Sequence, residues 1–443
     1  MRNRIILLLA TICFGGLLYY LSFETLRVEN MQVQLLFGGM FAIYATLAFL
    51  FRFRDWKTGL TDLFLAGFVL RLMLVFSTPN LSDDFYRFTW DGYMLTQGYN
   101  PFEVTPENYV KKHPEDKVAF ELFSANSKNF RSGMNSKRYY SIYPTVNQFV
   151  FGFSYWLTNS PNQGNLMIMK IILLLFECFT FVVLVRLLRL MQKATFLALL
   201  YWLNPLVVVE FVGNLHFDGA ALTLLLFSFY LLKREKLLGS GAALAGAVAT
   251  KLNPVFLACV NWRDLRFFRL LKWWSIAGVL SVLLLMIVLH PSSIENFFQS
   301  FRLYFFVFQF NSSLIFLSRT FFGGEGIQLA MAILPFVTIV SILCLNLLNR
   351  KWGTPEKLML AYTLYFLLGT TVHPWYITLL IPFALLTKWT YPIVWSYVIV
   401  WTYGFYHEGA VIQNGWVIFA EYLVMLSFLI WDLRRTYRFH YRS

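Results

Sequence analysis

The chain has 443 residues, 58% hydrophobic, 19% aromatic and 14% charged, with a formal charge of +14 and a mean hydropathy of +0.58; soluble globular domains carry about a quarter charged residues, so that class is excluded. The positive charge does not point to nucleic acid, because Lys and Arg sit in short segments beside apolar runs and build no basic face. Cys13, Cys178, Cys259 and Cys344 lie in or at the ends of such runs without CxxC spacing, so neither a disulfide framework nor a zinc site is indicated.

Met1 to Phe23 opens like a secretory signal, with Arg2 and Arg4 before an apolar stretch, but no small-residue cleavage site follows, and it is read as a retained first span. Apolar runs fall near 5–23, 32–51, 60–76, 146–158, 166–185, 195–212, 218–232, 238–259, 273–289, 326–348, 358–372, 375–387, 391–406 and 416–431. A bilayer-crossing helix needs about 20 such residues. Run 146–158 has the length of an interfacial or re-entrant helix. Run 238–259 is broken by Lys251-Leu252-Asn253-Pro254, where proline removes a backbone donor. If these two enter and leave on the same side, the other twelve cross and both termini are cytoplasmic. Cytoplasmic segments then hold Arg2 and Arg4; Arg52, Arg54 and Lys57; Arg186, Arg189 and Lys193; Lys233, Arg234 and Lys236; Arg263, Arg266, Arg269 and Lys272; Arg350, Lys351 and Lys357; Lys388; and Arg434, Arg435, Arg438 and Arg442. Outer segments hold only Arg27, Arg302 and Arg319 besides the long loop, the asymmetry of the positive-inside rule. The expected fold is one all-α transmembrane domain over 1–443. It is a bundle of about 12 helices with two short or re-entrant segments, and residues 77–145 form a large extracytoplasmic loop with interfacial helices.

That loop begins with Leu81-Ser82-Asp83-Asp84-Phe85-Tyr86-Arg87-Phe88-Thr89-Trp90-Asp91. Ser82 is placed to cap a helix from Asp83, with both aspartates favourable in its positive first turn. Gly98-Tyr99-Asn100-Pro101 stops it. Phe85, Phe88, Trp90, Tyr93 and Met94 would let the helix lie in the headgroup layer, and the polar remainder reads as a mobile flap. A carboxylate beside lipid is able to accept a hydroxyl proton where bound substrate excludes water; capping alone is the plainer role. Arg87, one turn on, would pair with Asp83 or Asp84 or with a substrate phosphate, and Asp91 belongs to the same polar stretch. Tyr143-Pro144 closes the loop, and the amides of Asn147 and Gln148 enter a membrane segment where they need partners or a polar cavity.

Farther on, Glu210 lies inside an apolar run, where an ionisable group is costly and a functional candidate. Asn214, His216 and Asp218 follow on an external turn. His-x-Asp is too few ligands for a metal, so hydrogen bonding is the preferred role; no cofactor is expected, and a divalent metal is possible without being indicated. Lys251 should face a polar cavity or snorkel, Arg71 and Lys170 have no assigned partner, and His373-Pro374-Trp375-Tyr376 joins two runs on the outer face.

The order Ser82-Asp83-Asp84, Tyr86-Arg87, Trp90-Asp91-Gly92, Gly98-Tyr99-Asn100-Pro101, Tyr143-Pro144, Asn204-Pro205, Gly213-Asn214 with His216 and Asp218, Lys251-Leu252-Asn253-Pro254 and His373-Pro374-Trp375-Tyr376 resembles the GT-C superfamily of integral-membrane glycosyltransferases. The nearest likeness is to bacterial polyprenyl-phosphate-mannose-dependent mannosyltransferases and, more distantly, the first GPI mannosyltransferase. The resemblance implies a GT-C-like bundle in the bacterial cytoplasmic membrane with its site on the outer face. It further implies a polyprenyl-phosphate-linked sugar donor, most often mannose, a glycan or glycolipid acceptor, and inversion with Asp83 or Asp84 as base. Arg87, His216, Lys251 and His373 would face the donor phosphate, and Asp91, Tyr143, Asn147, Gln148, Glu210, Asn214, Asp218 and Tyr376 would line the substrate. Relatives carry Asp-x-Asp or Glu-x-Asp where this chain has adjacent Asp83-Asp84. The competing reading is a transporter or flippase, favoured by Arg71, Glu210 and Lys251 within apolar runs; a non-catalytic envelope scaffold is a third, without a positive feature.

Overall fold

The computed structural model describes residues 2–53, 59–124, 133–260, 265–306, 308–348, 352–387, 389–408 and 410–441. Arg54, Lys57, Arg263, Arg350, Lys351, Lys388 and Arg442 of the cationic clusters lie outside them. α1 (Arg2–Tyr19) runs through a wide turn, Tyr20–Glu24, and the chain returns as α2 (Asn30–Phe53). α3 (Leu60–Val75) leads to the long loop, which holds α4 (Asp84–Thr96), α5 (Pro106–Lys112) and α6 (Lys117–Ser124). α7 (Thr145–Thr158) and α8 (Gln163–Leu190) precede two short helices, α9 (Ala198–Trp202) and α10 (Pro205–Val208). α11 (Asp218–Lys233), α12 (Leu237–Val248), α13 (Phe256–Val260), α14 (Phe267–Met286), α15 (Ile294–Phe306), α16 (Ser313–Leu348) and α17 (Thr354–Leu368) follow. α18 (Pro374–Ile377), α19 (Ile381–Leu386), α20 (Tyr391–Val398), a hairpin pairing Tyr406 with Val411, and α21 (Gly415–Tyr441) complete the chain.

The protein is an all-α membrane protein. Six helical segments among the described residues are long and apolar enough to cross a membrane: Arg2–Glu24, Asn30–Phe51, Gln163–Leu190, Phe267–Met286, Ser313–Leu345 and Gly415–Thr436. Thr195–Trp202 and Pro205–Gly213, bent by 61°, add a seventh if they are one span. Asn204 makes that bend: its side chain accepts from the backbone of Leu206 and Val207 while Pro205 starts the next helix. The other apolar runs are helical but shorter, with 16 residues in α3 and in α11 and 15 in α17.

Arg71 and Lys170, both buried in the bundle, have partners there. Arg71 and Glu177, 0% and 1% exposed, lie 3.0 Å apart. Arg71 also donates to Trp202 O (2.7 Å) and stands 3.8 Å over the Trp202 ring, while Tyr201 donates to Glu177 (2.6 Å). Lys170 donates to Leu74 O, Ser77 O and Ser77 Oγ at 2.7–2.9 Å, closing the open carbonyls at the end of α3. Both cations that the sequence left unassigned thus brace helices.

Two expectations for the long loop are corrected. α4 begins at Asp84, and Ser82 Oγ accepts from its backbone N–H (3.3 Å). The helix does not float in the headgroup layer with one face to lipid, because Phe85 to Met94 are all buried, packed against α7, α6 and α8. The described part of the expected flap is folded: Asp116 caps α6 through Ala119 N–H and accepts from Tyr93 and Tyr109 (2.6 and 3.0 Å); residues 125–132 lie outside the described residues. Run 146–158 is the single helix α7, with Phe149 and Trp156 71% and 67% exposed. Run 238–259 is broken where proline placed the break, and α12 packs beside α11 so that Lys251 returns to the level of Asp218.

Candidate active site

Backbone amides that apolar segments cannot satisfy are what draw the site together. Asn214 ends the wide turn Val209–Gly213, and its Oδ1 accepts from Asn80 N–H (3.2 Å) and Leu81 N–H (3.1 Å). Its Nδ2 donates to Glu210 Oε1 (3.2 Å). The acidic stretch is thereby fastened to the second polar focus, with Asp83, Asp84, His216 and Asp218 at one end of the bundle. Asn147 Nδ2 donates to Thr250 O (3.0 Å) and Val146 N–H to Ala249 O (3.0 Å), holding the tip of the broken helix from the other side. That tip presents Lys251, which pairs with Asp218 and lies 4.3 Å over the Tyr376 ring.

Glu210 is fully buried, accepts from Tyr403 OH, and faces His216, whose Nδ1 is 2.9 Å from Oε2 and 3.1 Å from the Glu210 carbonyl. The imidazole stacks on Trp375 at 3.7 Å and 12°. His373 stacks on the same indole at 4.2 Å and 6°. One indole face has no room for two rings at those separations, so Trp375 lies between them. His216 Nε2 and His373 Nδ1 are buried without a hydrogen-bond partner among the described residues. Burial, then the neighbouring His216, Lys251 and Arg27, hold the His373 pKa well below the usual histidine range.

The two aspartates differ. Asp83 is 8% exposed and pairs with Arg27 at 3.0 Å. Burial raises its pKa and Arg27 opposes that. Arg27 also donates to Leu81 O (3.3 Å) and lies 4.1 Å over Tyr406. Asp84 is partly exposed, and no hydrogen bond or ion pair to its carboxylate is found among the described residues. Burial raises its pKa; His216 lowers it, Asp83 raises it, Lys251 lowers it and Asp218 raises it, in falling order. A raised carboxylate with cations nearby is a better proton acceptor at neutral pH than an ordinary one.

Not every expected residue joins this centre. Arg87 pairs with Asp91 (2.6 Å), not with Asp83 or Asp84, and donates to Ser136 O and Tyr139 O. Gln148 donates to Asp91 (2.9 Å), Ser141 Oγ and Tyr143 O, and Tyr143 packs edge-on against Phe88. These four form a brace that ties the end of the loop to α4 and α7. Among the described residues no group of three or more His, Cys, Asp or Glu is placed to hold a metal. Sequence reasoning missed Arg27, Trp375, Tyr403 and Tyr406. Arg27 had a signal, as the lone cation of a short outer segment, and Trp375 stood inside the His373-Pro374-Trp375-Tyr376 motif; Tyr403 and Tyr406 had none among 24 Tyr.

A multi-pass helical membrane protein with a buried polar centre, in which Asp84 lies within the electrostatic reach of His216, Lys251 and Asp218, is the class that fold and site define. The chain belongs to the alpha-(1→6)-mannopyranosyltransferase family, whose N-terminal-domain model matches residues 16–263, over half of the sequence. It is therefore a membrane glycosyltransferase, in agreement with the GT-C mannosyltransferase likeness of its motifs. No curated protein matches it. His373, Trp375, Tyr376, Tyr403 and Tyr406 lie beyond the matched region.

Proposed function

We propose that the protein transfers mannose from a polyprenyl-phosphate-linked donor to a glycan or glycolipid acceptor at the outer face of the cytoplasmic membrane, with inversion. The observation that carries this reading is the setting of Asp84: a partly exposed carboxylate without an ionic partner among the described residues, in the field of His216 and Lys251. In the proposed reaction Asp84 takes the acceptor hydroxyl proton as the oxygen attacks the anomeric carbon from the side opposite the phosphate. The glycosyl C–O bond breaks with its electron pair going to the phosphate. His216, His373 and Lys251 lower the energy of that developing anion by hydrogen bonding and charge. Asp83 stays paired with Arg27 and holds the helix start.

A screen of labelled polyprenyl-phosphate sugars with the purified protein tests the proposal. Transfer is expected from the mannosyl donor and to be lost in Asp84→Asn. Full activity of Asp84→Asn, or no transfer from any such donor, overturns it.

A further inference from the structure

The side of the site that carries His373 is braced by polar groups that do not reach the site themselves. Asn311 is fully buried at φ +52, a left-handed conformation that asparagine tolerates. Its Nδ2 donates to both carboxylate oxygens of Glu421 (3.2 and 3.0 Å), its backbone N–H to Gln413 (2.8 Å), and its carbonyl accepts from Tyr422 OH (2.8 Å). Glu421, 0% exposed in α21, also accepts from Trp395 Nε1 (2.8 Å). A buried carboxylate held by neutral donors is costly to keep in a membrane helix, so such groups mark function by default.

The work of this cluster is visible one residue upstream. Phe310 donates to Thr370 O (3.2 Å) and accepts from Val372 N–H (2.8 Å), a parallel bridge to the segment just before His373. Ser312 Oγ donates to Gly369 O (2.8 Å). The Phe310 ring stacks on His373 at 4.7 Å and meets Tyr406 at 5.7 Å, and Tyr406 carries Arg27. Segment 309–312 is thus a splint between α21 and the strand-like approach to the imidazole.

We propose that Glu421 and Asn311 are positioning residues for His373. The carboxylate fixes Asn311, Asn311 fixes Phe310 against 370–372, and that register sets the plane of the His216–Trp375–His373 stack. The kinetic consequence rests on the reading of that stack as facing the donor phosphate; the positioning itself does not.

The test uses the full chain in detergent. Asn311→Gly tolerates the left-handed backbone and removes only the side-chain link, whereas Glu421→Leu removes the carboxylate and risks misfolding. With histidine-labelled protein, the His373 ring signals, assigned by their absence in His373→Ala, should be displaced upfield by the Trp375 ring current. In Asn311→Gly that displacement should collapse while the protein stays folded with a lowered thermal midpoint, the buried Glu421 having lost its amide partner; an unaltered His373 signal overturns the proposal. In transfer from labelled polyprenyl-phosphate-mannose, Asn311→Gly and His373→Ala should each lower kcat/KM about tenfold or more, and the double variant should be no worse than the weaker single, as for residues acting through one another. Multiplying losses also overturn it. If His373→Ala is kinetically silent, the donor-facing reading fails, and the ring signals alone decide the positioning.

Discussion

Replacing Asp83 leaves the Arg27 guanidinium facing a neutral amide in a buried setting, whereas replacing Asp84 removes a carboxylate that burial already penalises. Asp83→Asn is therefore expected to cost about 1–3 kcal/mol of stability, read as a lowered thermal midpoint. Asp84→Asn should be at least as stable as the parent at neutral pH and lose transfer by about 10²-fold or more. The sign follows from linkage: the folded pKa of Asp84 lies above its unfolded value of 3.8. Its destabilising contribution is full above the folded pKa and fades as pH falls toward 3.8, so parent and variant should converge in stability in acid. Activity runs the other way, since the base works deprotonated: kcat/KM should fall with acid along a limb displaced above the ordinary aspartate range. A limb at the ordinary position, unaltered by Asp83→Asn, would count against Asp84. The adjacent pair was legible in the motif; the difference between its members was not, because Arg27, the partner of Asp83, lies 56 residues upstream and apolar spacing carries no distance across a bundle.

Helix α4 can approach α7 only because Gly92 has no side chain: a Cβ there would stand 2.4 Å from Phe151 O. Gly92→Ala should push the two helices apart, lower stability by about 1–3 kcal/mol and reduce transfer by moving Asp84, both measurable on one purified sample. An active variant of unchanged midpoint would show that this packing does not place the carboxylate. Breaks written in local chemistry were readable ahead of the structure. Gly98 (φ +79) follows the end of α4, and Lys251 to Pro254 interrupts a run; the 61° bend at Asn204-Pro205 falls inside run 195–212, which reads from sequence as one crossing. The surroundings of α4 were not readable, because its aromatic residues meet lipid and neighbouring helices by the same dispersion and apolar burial. Likewise the brace of Arg87, Asp91, Gln148 and Tyr143 consists of residue types that bind substrates equally well.

For the whole molecule, the proposed orientation predicts which cysteines an impermeant reagent reaches. Phe120→Cys on exposed α6 should be labelled in intact cells, while Arg189→Cys and Arg234→Cys, also exposed, should react only after permeabilisation; the opposite pattern would reverse the topology. Composition alone placed the chain in a membrane and its order of motifs in a family. The ends of the spans were less legible, because bent and short helices carry the same apolar signal as straight crossings. The cost of burying Arg71 was also legible, but its partner Glu177, 106 residues on, was not. Trp375 slots between two histidines, and Tyr403 reaches back to Glu210. During synthesis the first half of the chain therefore waits, with Glu210 and His216 already made, for the roughly 190 residues that deliver those aromatics, about 10–40 s at ordinary translation rates. Biogenesis thus includes an interval in which the nascent protein is embedded yet unfinished, and a truncated product would be an inserted membrane protein whose His216 and Glu210 lack these aromatic partners.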